Sequence, residues 1–237
     1  MVPSFFMNDH VAQEIQVRRL VTTLRWALLG VAVVAASLGA FYFWKMQKQK
    51  SAEAAFDLLH EATQIEERAG REGSTLQKDA MDVMLSWPEA QRQEYVKALE
   101  SVESQYSKKS AGLLATLKKA RFQLLSGQHA QALEAYQSAL SRSAGHDSFE
   151  LYYAMAAEGA AASLELVGRL PDAKTLLDQA LSKTKSPLRP VLFLSLARLQ
   201  IQLGEKDRAA ETYDKIIKEF PNSEYEKRAR ALKLRAG

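Results

Sequence analysis

The chain of 237 residues contains no cysteine. Disulfide bonds, cysteine metal sites and thiol redox chemistry are therefore excluded. The chain also has only six prolines, and no segment alternates apolar and polar residues with the period of two that is typical of half-buried strands. These absences favour an all-α fold. A content of 47% hydrophobic and 25% charged residues is the balance of a globular chain rather than a disordered one.

Sequence motifs of the common enzyme classes are absent as well. The chain has no phosphate loop of the GxxxxGK type, no GxGxxG, no HExxH and no GxSxG. The histidines are isolated in the sequence, at His10, His60, His129 and His146. We therefore predict no catalytic, cofactor-binding or metal-binding residues and no enzyme activity. An enzyme with an unrecognised site is the alternative.

No long segment is dominated by charge of one sign, and the net charge is only +4. The densest basic cluster lies near the C-terminus, at Lys227, Arg228, Arg230, Lys233 and Arg235. We interpret it as the solvated face of a last helix, with a lipid-headgroup or nucleic-acid contact as the alternative. The prediction is that nucleic acid is not a partner.

The longest uncharged stretch runs from Trp26 to Trp44, between Arg25 and Lys45. At a rise of about 1.5 Å per residue, roughly 20 apolar residues cross a hydrocarbon core of about 30 Å. We therefore predict one N-terminal transmembrane helix at residues 26–44, with Phe41 to Trp44 in an aromatic belt. A cleaved signal peptide and a buried helix of a soluble core are the alternatives. Because positive charges flank both ends, they do not decide which end is cytoplasmic.

Residues 45–109 are predicted to form a membrane-proximal helical region. Ala55, Leu58, Leu59 and Ala62 follow the i, i+3, i+4, i+7 spacing of one apolar helical face. Pro88 fits the first turn of a later helix, where its missing N–H costs nothing.

Residues 110–237 repeat a pattern three times. Each repeat starts at a glycine, and the glycines are 41 and 36 residues apart. An alanine follows five residues later and a large side chain four residues after that. The repeat signature consists of Gly127, Ala132, Tyr136, Gly168, Ala173, Leu177, Gly204, Ala209, Tyr213 and Pro221.

This spacing predicts a helix–turn–helix repeat. Glycine ends a first helix, called helix A, because it adopts the left-handed backbone conformation without steric cost. The alanine on the second helix, called helix B, permits close approach, and the large residue fills the space toward the next unit. A single unit cannot bury its apolar face, so the units must stack into a solenoid. We expect the extra length of the longer interval in a loop near Ala144. An irregular helical bundle with accidental spacing is the alternative.

The pattern resembles tetratricopeptide repeats. The third unit matches best, through Ala197, Gly204, Ala209, Tyr213 and Pro221. The first two units lack the terminal proline at that offset, and no unit has the early tryptophan.

The resemblance implies a concave groove lined by the A helices. The family's offsets select Leu114, Leu117, Arg121, Leu124, Met155, Glu158, Ala162, Glu165, Val191, Leu194, Arg198 and Ile201. Aliphatic walls with arginines and glutamates suit a bound peptide, because aliphatic groups contact apolar side chains and charges set the register. The alternative is that these residues pack a superhelix that has no ligand.

The segment FYFWKMQKQKSAEAAFDLLHEA, residues 41–62, is similar to the membrane exit of YfgM-like proteins, a family of single-span ancillary subunits of the Sec translocon. This resemblance implies residence in the bacterial inner membrane, a cytoplasmic N-terminus and a periplasmic repeat domain. It also implies translocon subunits, periplasmic chaperones or nascent chains as protein partners.

The predicted organisation is therefore a cytoplasmic tail at 1–25, a transmembrane helix at 26–44, a helical region at 45–109, and tetratricopeptide-like repeats with a capping helix at 110–237. The predicted function is a membrane-anchored interaction adaptor of the secretion translocon. A structural coordinator of a cell-envelope complex, in division or cell-wall synthesis, is the alternative.

Overall fold

The computed structural model describes residues 37–67 and 86–236. The chain divides into two compact units, Met1–Glu53 and Ala54–Gly237. In the first unit, residues 37–53 are helical. Their large apolar side chains are exposed, namely Leu38, Phe41, Tyr42, Phe43, Trp44 and Met46.

The predicted transmembrane helix at residues 26–44 is wrong. Within residues 37–67 and 86–236, no helix combines the length and the apolar character that crossing a bilayer requires. The physical reason is charge, since the apolar part of the described helix ends at Trp44. Residues 26–36 of the predicted span lie outside the described residues. The charged side chains that follow are Lys45, Lys48, Lys50 and Glu53.

The second unit is built from α-helices, with no strand among its described residues. Helix α1 comprises residues 54–67. A short 3-10 turn, Asp147–Phe149, precedes α5. The other helices are α2 (Glu89–Gln105), α3 (Ser110–Leu125), α4 (His129–Ser143), α5 (Glu150–Leu166), α6 (Leu170–Lys183), α7 (Arg189–Gln202), α8 (Lys206–Glu219) and α9 (Glu224–Ala236).

Consecutive helices from α2 to α9 pack against one another. Each A helix also contacts the A helix of the next unit, as α3 does with α5, α5 with α7 and α7 with α9. Such neighbour-to-neighbour packing is the organisation of a helical solenoid. Because the A helices lie close together, they form one continuous face of the repeat array.

The three predicted glycines end the A helices through the same backbone motif. Gly127, Gly168 and Gly204 have φ values of 78°, 79° and 78°. The residue after each glycine donates its N–H to a carbonyl five positions earlier, as Gln128 does to Gln123 at 2.9 Å. This is a Schellman motif, which satisfies carbonyls that the helix end would otherwise leave unpaired. The three units therefore share the same backbone conformation at the glycine where the pattern starts.

The predicted alanines lie where helix B crosses helix A. Ala132, Ala173 and Ala209 are completely buried. The large side chain of the first unit reaches the next one, since Tyr136 packs against Gly159 so closely that an added Cβ would lie 2.2 Å from its ring. Leu177 and Tyr213, the corresponding residues of the other units, are also buried.

The last predicted position, Pro221, follows the end of α8. Asn222 then adopts a positive φ of 61°. The next helix starts with a side-chain cap, in which the Glu226 N–H donates to the Ser223 hydroxyl at 3.1 Å and the Asn222 N–H donates to the Glu226 carboxylate. Proline thus stands where the helix has to stop and the chain has to turn.

The difference between the two glycine intervals is located mainly in a helix. Helix α5 has 17 residues and α7 has 14. Most of the extra length therefore does not lie in the loop near Ala144, and that prediction is wrong for this part. Both helices end two residues before their glycine, so the three extra residues of α5 lie at its N-terminal end, from Glu150 to Tyr152.

Two apolar clusters stabilise the second unit. One joins α1, α2 and one side of α3, and it includes the predicted stripe residues Ala55, Leu59 and Ala62. The other runs through the repeats from α3 to α9. In the first cluster the rings of Trp87, Tyr95 and Phe122 meet with centroids 5.4–6.3 Å apart. Helix α3 therefore connects the region at 45–109 with the repeats.

Candidate functional site

The predicted groove residues occupy the A helices α3, α5 and α7. Arg121 and Arg198 are exposed, whereas Leu117 is buried in the core. The remaining predicted groove residues are half-buried: Leu114, Leu124, Met155, Glu158, Ala162, Glu165, Val191, Leu194 and Ile201. This mixture of exposure is typical of a surface that is accessible and yet shaped by packing.

A cleft of about 660 Å³ lies along part of this face. We call it the A-helix cleft. Its volume is within the range of about 300–1,000 Å³ that is usual for ligand sites. Glu158 enters it from α5, Tyr213 from α8, and the other lining residues come from α7 and α9. They are Val191, Leu194, Ser195, Arg198, Ile201, Gln202, Tyr225, Arg228 and Leu232.

The structure thus brings together five predicted groove residues and leaves others outside the cleft. The five are Glu158, Val191, Leu194, Arg198 and Ile201. The cleft does not include Leu117, Arg121, Leu124 or Glu165.

An ion pair joins the A helices of two units beside the cleft. Arg198 Nη2 on α7 lies 2.8 Å from Glu165 Oε2 on α5. Gln202 Nε2 donates to the other oxygen of the same carboxylate at 2.6 Å. The Glu165 side chain is only 13% exposed, so two donors satisfy a carboxylate that would otherwise be poorly hydrated. Arg198 is therefore held in position by the protein itself.

Glu158 has a different environment on the wall of the cleft. Burial raises the pKa of its carboxyl group, and the negative charge of Glu165 acts in the same direction. The positive charges of Arg198 and Arg121 oppose this rise in pKa. Although Arg121 does not line the cleft, it lies close enough to act on Glu158 and on the hydroxyl of Tyr136. The four charged groove residues therefore form one electrostatically connected group.

The far end of the cleft is lined by α9. Tyr225, Arg228 and Leu232 project into it at i, i+3 and i+7, so that they share one helical face. Burial raises the pKa of the Tyr213 hydroxyl at this end, and the positive charge of Arg228 opposes the rise. An arginine, two tyrosines and aliphatic side chains thus meet where the repeat array ends.

Comparison with known proteins agrees with this architecture. A family model described as a tetratricopeptide repeat matches residues 164–233. The chain contains a tetratricopeptide-like repeat domain. No curated protein sequence matches the chain significantly.

Two solved structures share the fold of this tetratricopeptide-like domain. Both contain the nearly identical TPR-like repeats of a Podosopora anserina protein assigned as a kinesin light chain, and one of them is a variant. Their TM-scores are 0.53 and 0.52, and each is 19% identical to this chain. The alignments cover 75% of this chain and 85% and 86% of the others. At this level of identity the likeness shows the fold alone.

The tetratricopeptide-like register explains which cleft residues the sequence analysis missed. These are Ser195, Gln202, Tyr225, Arg228 and Leu232. Helix α9 was predicted only as a cap, but it occupies the position of a fourth A helix. Its Tyr225, Arg228 and Leu232 repeat the spacing of Val191, Leu194 and Arg198 in α7, and this spacing is the signal that could have identified them.

Arrays of this kind are typically non-catalytic scaffolds whose curved surface binds other proteins. Three repeat units stacked in the described way therefore indicate a protein–protein interaction module.

Proposed function

We propose that this protein is an adaptor that binds a peptide segment of a partner protein in the A-helix cleft. The observation that carries the proposal is the cleft itself, with a volume of about 660 Å³ and walls supplied by four different helices. Leu194, Ile201 and Leu232 provide apolar contact area, whereas Arg198 and Arg228 provide donors at its edges. This is the usual composition of a recognition site, in which apolar groups provide affinity and a few charges provide orientation.

The A helices α3 and α5 belong to the same face of the array as the cleft. Arg121 on α3 is exposed and has no ion pair within the described part of the chain. Arg198 and Arg121 lie six residues before Gly204 and Gly127, so they occupy the same position in their units. A segment that enters the cleft at α9 and continues across α5 would meet both arginines in turn.

Loss of these two side chains tests the proposal. The full-length protein carrying Arg121→Ala and Arg198→Ala should keep its helical circular dichroism signal, because both residues are exposed. Its melting temperature should fall only slightly, because Arg198 is 51% exposed and Gln202 still donates to Glu165. Recovery of crosslinked partner proteins from cells should decrease. A matched control replaces Arg208 and Arg230 by alanine, since these arginines are exposed and ion-paired but do not line the cleft. Equal recovery by the two double variants would place the binding surface elsewhere.

We further propose that the partner belongs to the secretion machinery, as a translocon subunit, a periplasmic chaperone or a client polypeptide. The support for this step is the similarity of residues 41–62 to the YfgM-like family. Crosslinking in native cells followed by mass spectrometry should identify secretion proteins among the partners that depend on Arg121 and Arg198. Recovery of division or cell-wall proteins would instead favour the role of a structural coordinator of an envelope complex.

A periplasmic location of the repeats is part of the same proposal. A reporter enzyme that is active only in the periplasm, fused after Gly237, should be active. Activity of only a cytoplasmic reporter at that position would contradict the role in secretion, although peptide binding by the cleft would be unaffected.

A further inference from the structure

The basic cluster of α9 separates into paired and unpaired side chains. Lys227 Nζ lies 2.6 Å from Glu224, Arg230 Nη2 lies 2.8 Å from Glu226, and Lys233 Nζ lies 2.6 Å from Asp214. Each of these three basic side chains is therefore paired with a carboxylate. Arg228 and Arg235 have no ion pair or hydrogen bond within residues 37–67 and 86–236. Of these two, Arg228 lines the A-helix cleft and Arg235 does not.

The surroundings of Arg228 combine aromatic and aliphatic groups. Tyr213 and Tyr225 line the same end of the cleft, together with Leu194 and Leu232. Tyr213 is only 4% exposed, so its ring forms a fixed part of the wall. Glu158 is the one carboxylate among the described lining residues, and it belongs to α5 rather than to α8 or α9. The Arg228 guanidinium therefore lies beside an apolar wall, and neither α8 nor α9 contributes a carboxylate to the cleft lining.

The remaining charges of the groove do not compensate for Arg228. Arg198 is already bound to Glu165, so this pair contributes little net charge. Glu158 lies in the field of Arg198 and Arg121, and burial opposes its ionisation. The α9 end of the cleft consequently carries a positive charge that the protein leaves uncompensated. Charge complementarity then favours an occupant with a negative charge at that position.

This inference rests on the proposed function. We propose that the α9 end of the A-helix cleft selects a partner segment in which an acidic side chain stands next to an apolar one. Arg228 pairs with the acidic side chain, and Leu194 and Leu232 contact the apolar one. An arginine suits this role because its planar guanidinium can donate two hydrogen bonds to one carboxylate. Arg228 is thus a specificity-determining residue for the partner.

Selection from a random 12-residue peptide library displayed on phage tests the inference with the full-length protein as bait. Wild-type protein should enrich peptides that contain Asp or Glu beside Leu, Ile, Val or Phe. Arg228→Glu should instead enrich peptides with Lys or Arg in that place, because the sign of the local charge is reversed. Arg208→Glu provides the control, since this arginine is 64% exposed and lies outside the cleft. It should enrich the same peptides as the wild type.

The binding of one enriched peptide then gives a magnitude. Measured by fluorescence anisotropy, the Kd should increase about tenfold for Arg228→Glu and remain within about twofold for Arg208→Glu. Raising the salt concentration should weaken binding to the wild type more than binding to Arg228→Gln, because screening removes an attraction that the variant no longer has. Melting curves of the variants show whether any loss reflects unfolding, and Arg228→Gln keeps the test valid if the charge reversal does not fold.

The outcomes separate the inference from the proposed function. Enriched peptides without an acidic preference, or the same peptides with Arg228→Glu as with wild type, would overturn the inference and leave peptide binding intact. No enriched peptide from the wild type would overturn both.

Discussion

Replacement of Gly159 by alanine should destabilise the repeat domain, although alanine is the better helix former. Gly159 lies within α5, where the exchange would ordinarily favour the helix by about 1 kcal/mol. An alanine Cβ would, however, lie 2.2 Å from Cε1 and Cζ of Tyr136 and 2.7 Å from its Cδ1. The prediction therefore depends on whether the clash costs more than the helix gains.

The distances indicate that the clash is larger. Non-bonded carbon atoms prefer separations of about 3.5–4.0 Å, so the ring of Tyr136 would have to retreat by more than about 1 Å. Tyr136 is only 6% exposed and packed between α4 and α5, so such a movement displaces other core side chains. Overpacking of this kind costs typically 1–3 kcal/mol, and this severe case belongs at about 3. After subtraction of the helix term, the free energy of unfolding should fall by about 2 kcal/mol. The melting temperature should then fall by about 4–8 °C for a domain of this size.

Urea unfolding monitored by circular dichroism measures the effect in two backgrounds. In the wild-type background, Gly159→Ala should lower the midpoint. In the Tyr136→Leu background the ring atoms are gone. There the same change should leave the free energy of unfolding unchanged or raise it by up to about 1 kcal/mol. An equal loss in both backgrounds would refute the reasoning, because the cost could not then come from the contact with Tyr136.

Three further changes test other parts of the structure. Ala173→Leu should lower the free energy of unfolding by about 1–3 kcal/mol because Ala173 is completely buried, and Gln179→Leu on the exposed face of α6 should change it by less than about 0.5 kcal/mol in the same urea assay. Gly204→Ala should cost roughly 1 kcal/mol through its φ of 78° alone, since a Cβ there meets no atom within 4 Å, and Gly204→Asn should cost less in a thermal melt. Glu158→Gln should stabilise the protein increasingly as the pH rises above roughly 4: burial raises the pKa of Glu158 in the folded state, so wild-type stability falls between the ordinary and the raised pKa, whereas glutamine does not titrate. Parallel stability–pH curves for wild type and Glu158→Gln would show that the carboxyl group is not buried as described.

The helical repeat was predictable because its determinants are local. Gly127, Gly168 and Gly204 end helices through their own backbone conformation, and no distant residue is needed for this. The buried alanines follow at a constant offset, because the turn sets the distance from helix end to helix crossing. The fold class of the repeats and their register could therefore be read from spacing alone. Five of the seven cleft residues on α5 and α7 were identified through the offsets that the tetratricopeptide resemblance implies.

The predicted span failed for a related reason. Residues 26–44 were judged by the length and charge of one stretch. Only residues 37–44 of that stretch belong to the described helix, and Lys45, Lys48 and Lys50 follow them, so the described helix lacks the apolar length of a span. The hydropathy of a stretch does not show where the helix that contains it begins and ends.

The partners of the charged side chains depend on how the helices pack. Lys174 Nζ donates to both oxygens of Glu205, which is 31 positions away, at 2.6 and 2.9 Å. Arg198 and Glu165 meet across two units and 33 positions of sequence. Lys227, Arg228 and Arg230 lie close together in the sequence of α9. Lys227 and Arg230 pair with carboxylates, whereas Arg228 lines the cleft because α9 packs against α7 and α8. Helix ends and apolar faces follow from the local sequence, because they depend on backbone conformation and periodicity. Which charges neutralise one another, and which one is left to bind a partner, depends on distances between residues that are remote in sequence, and those distances exist only in the folded array.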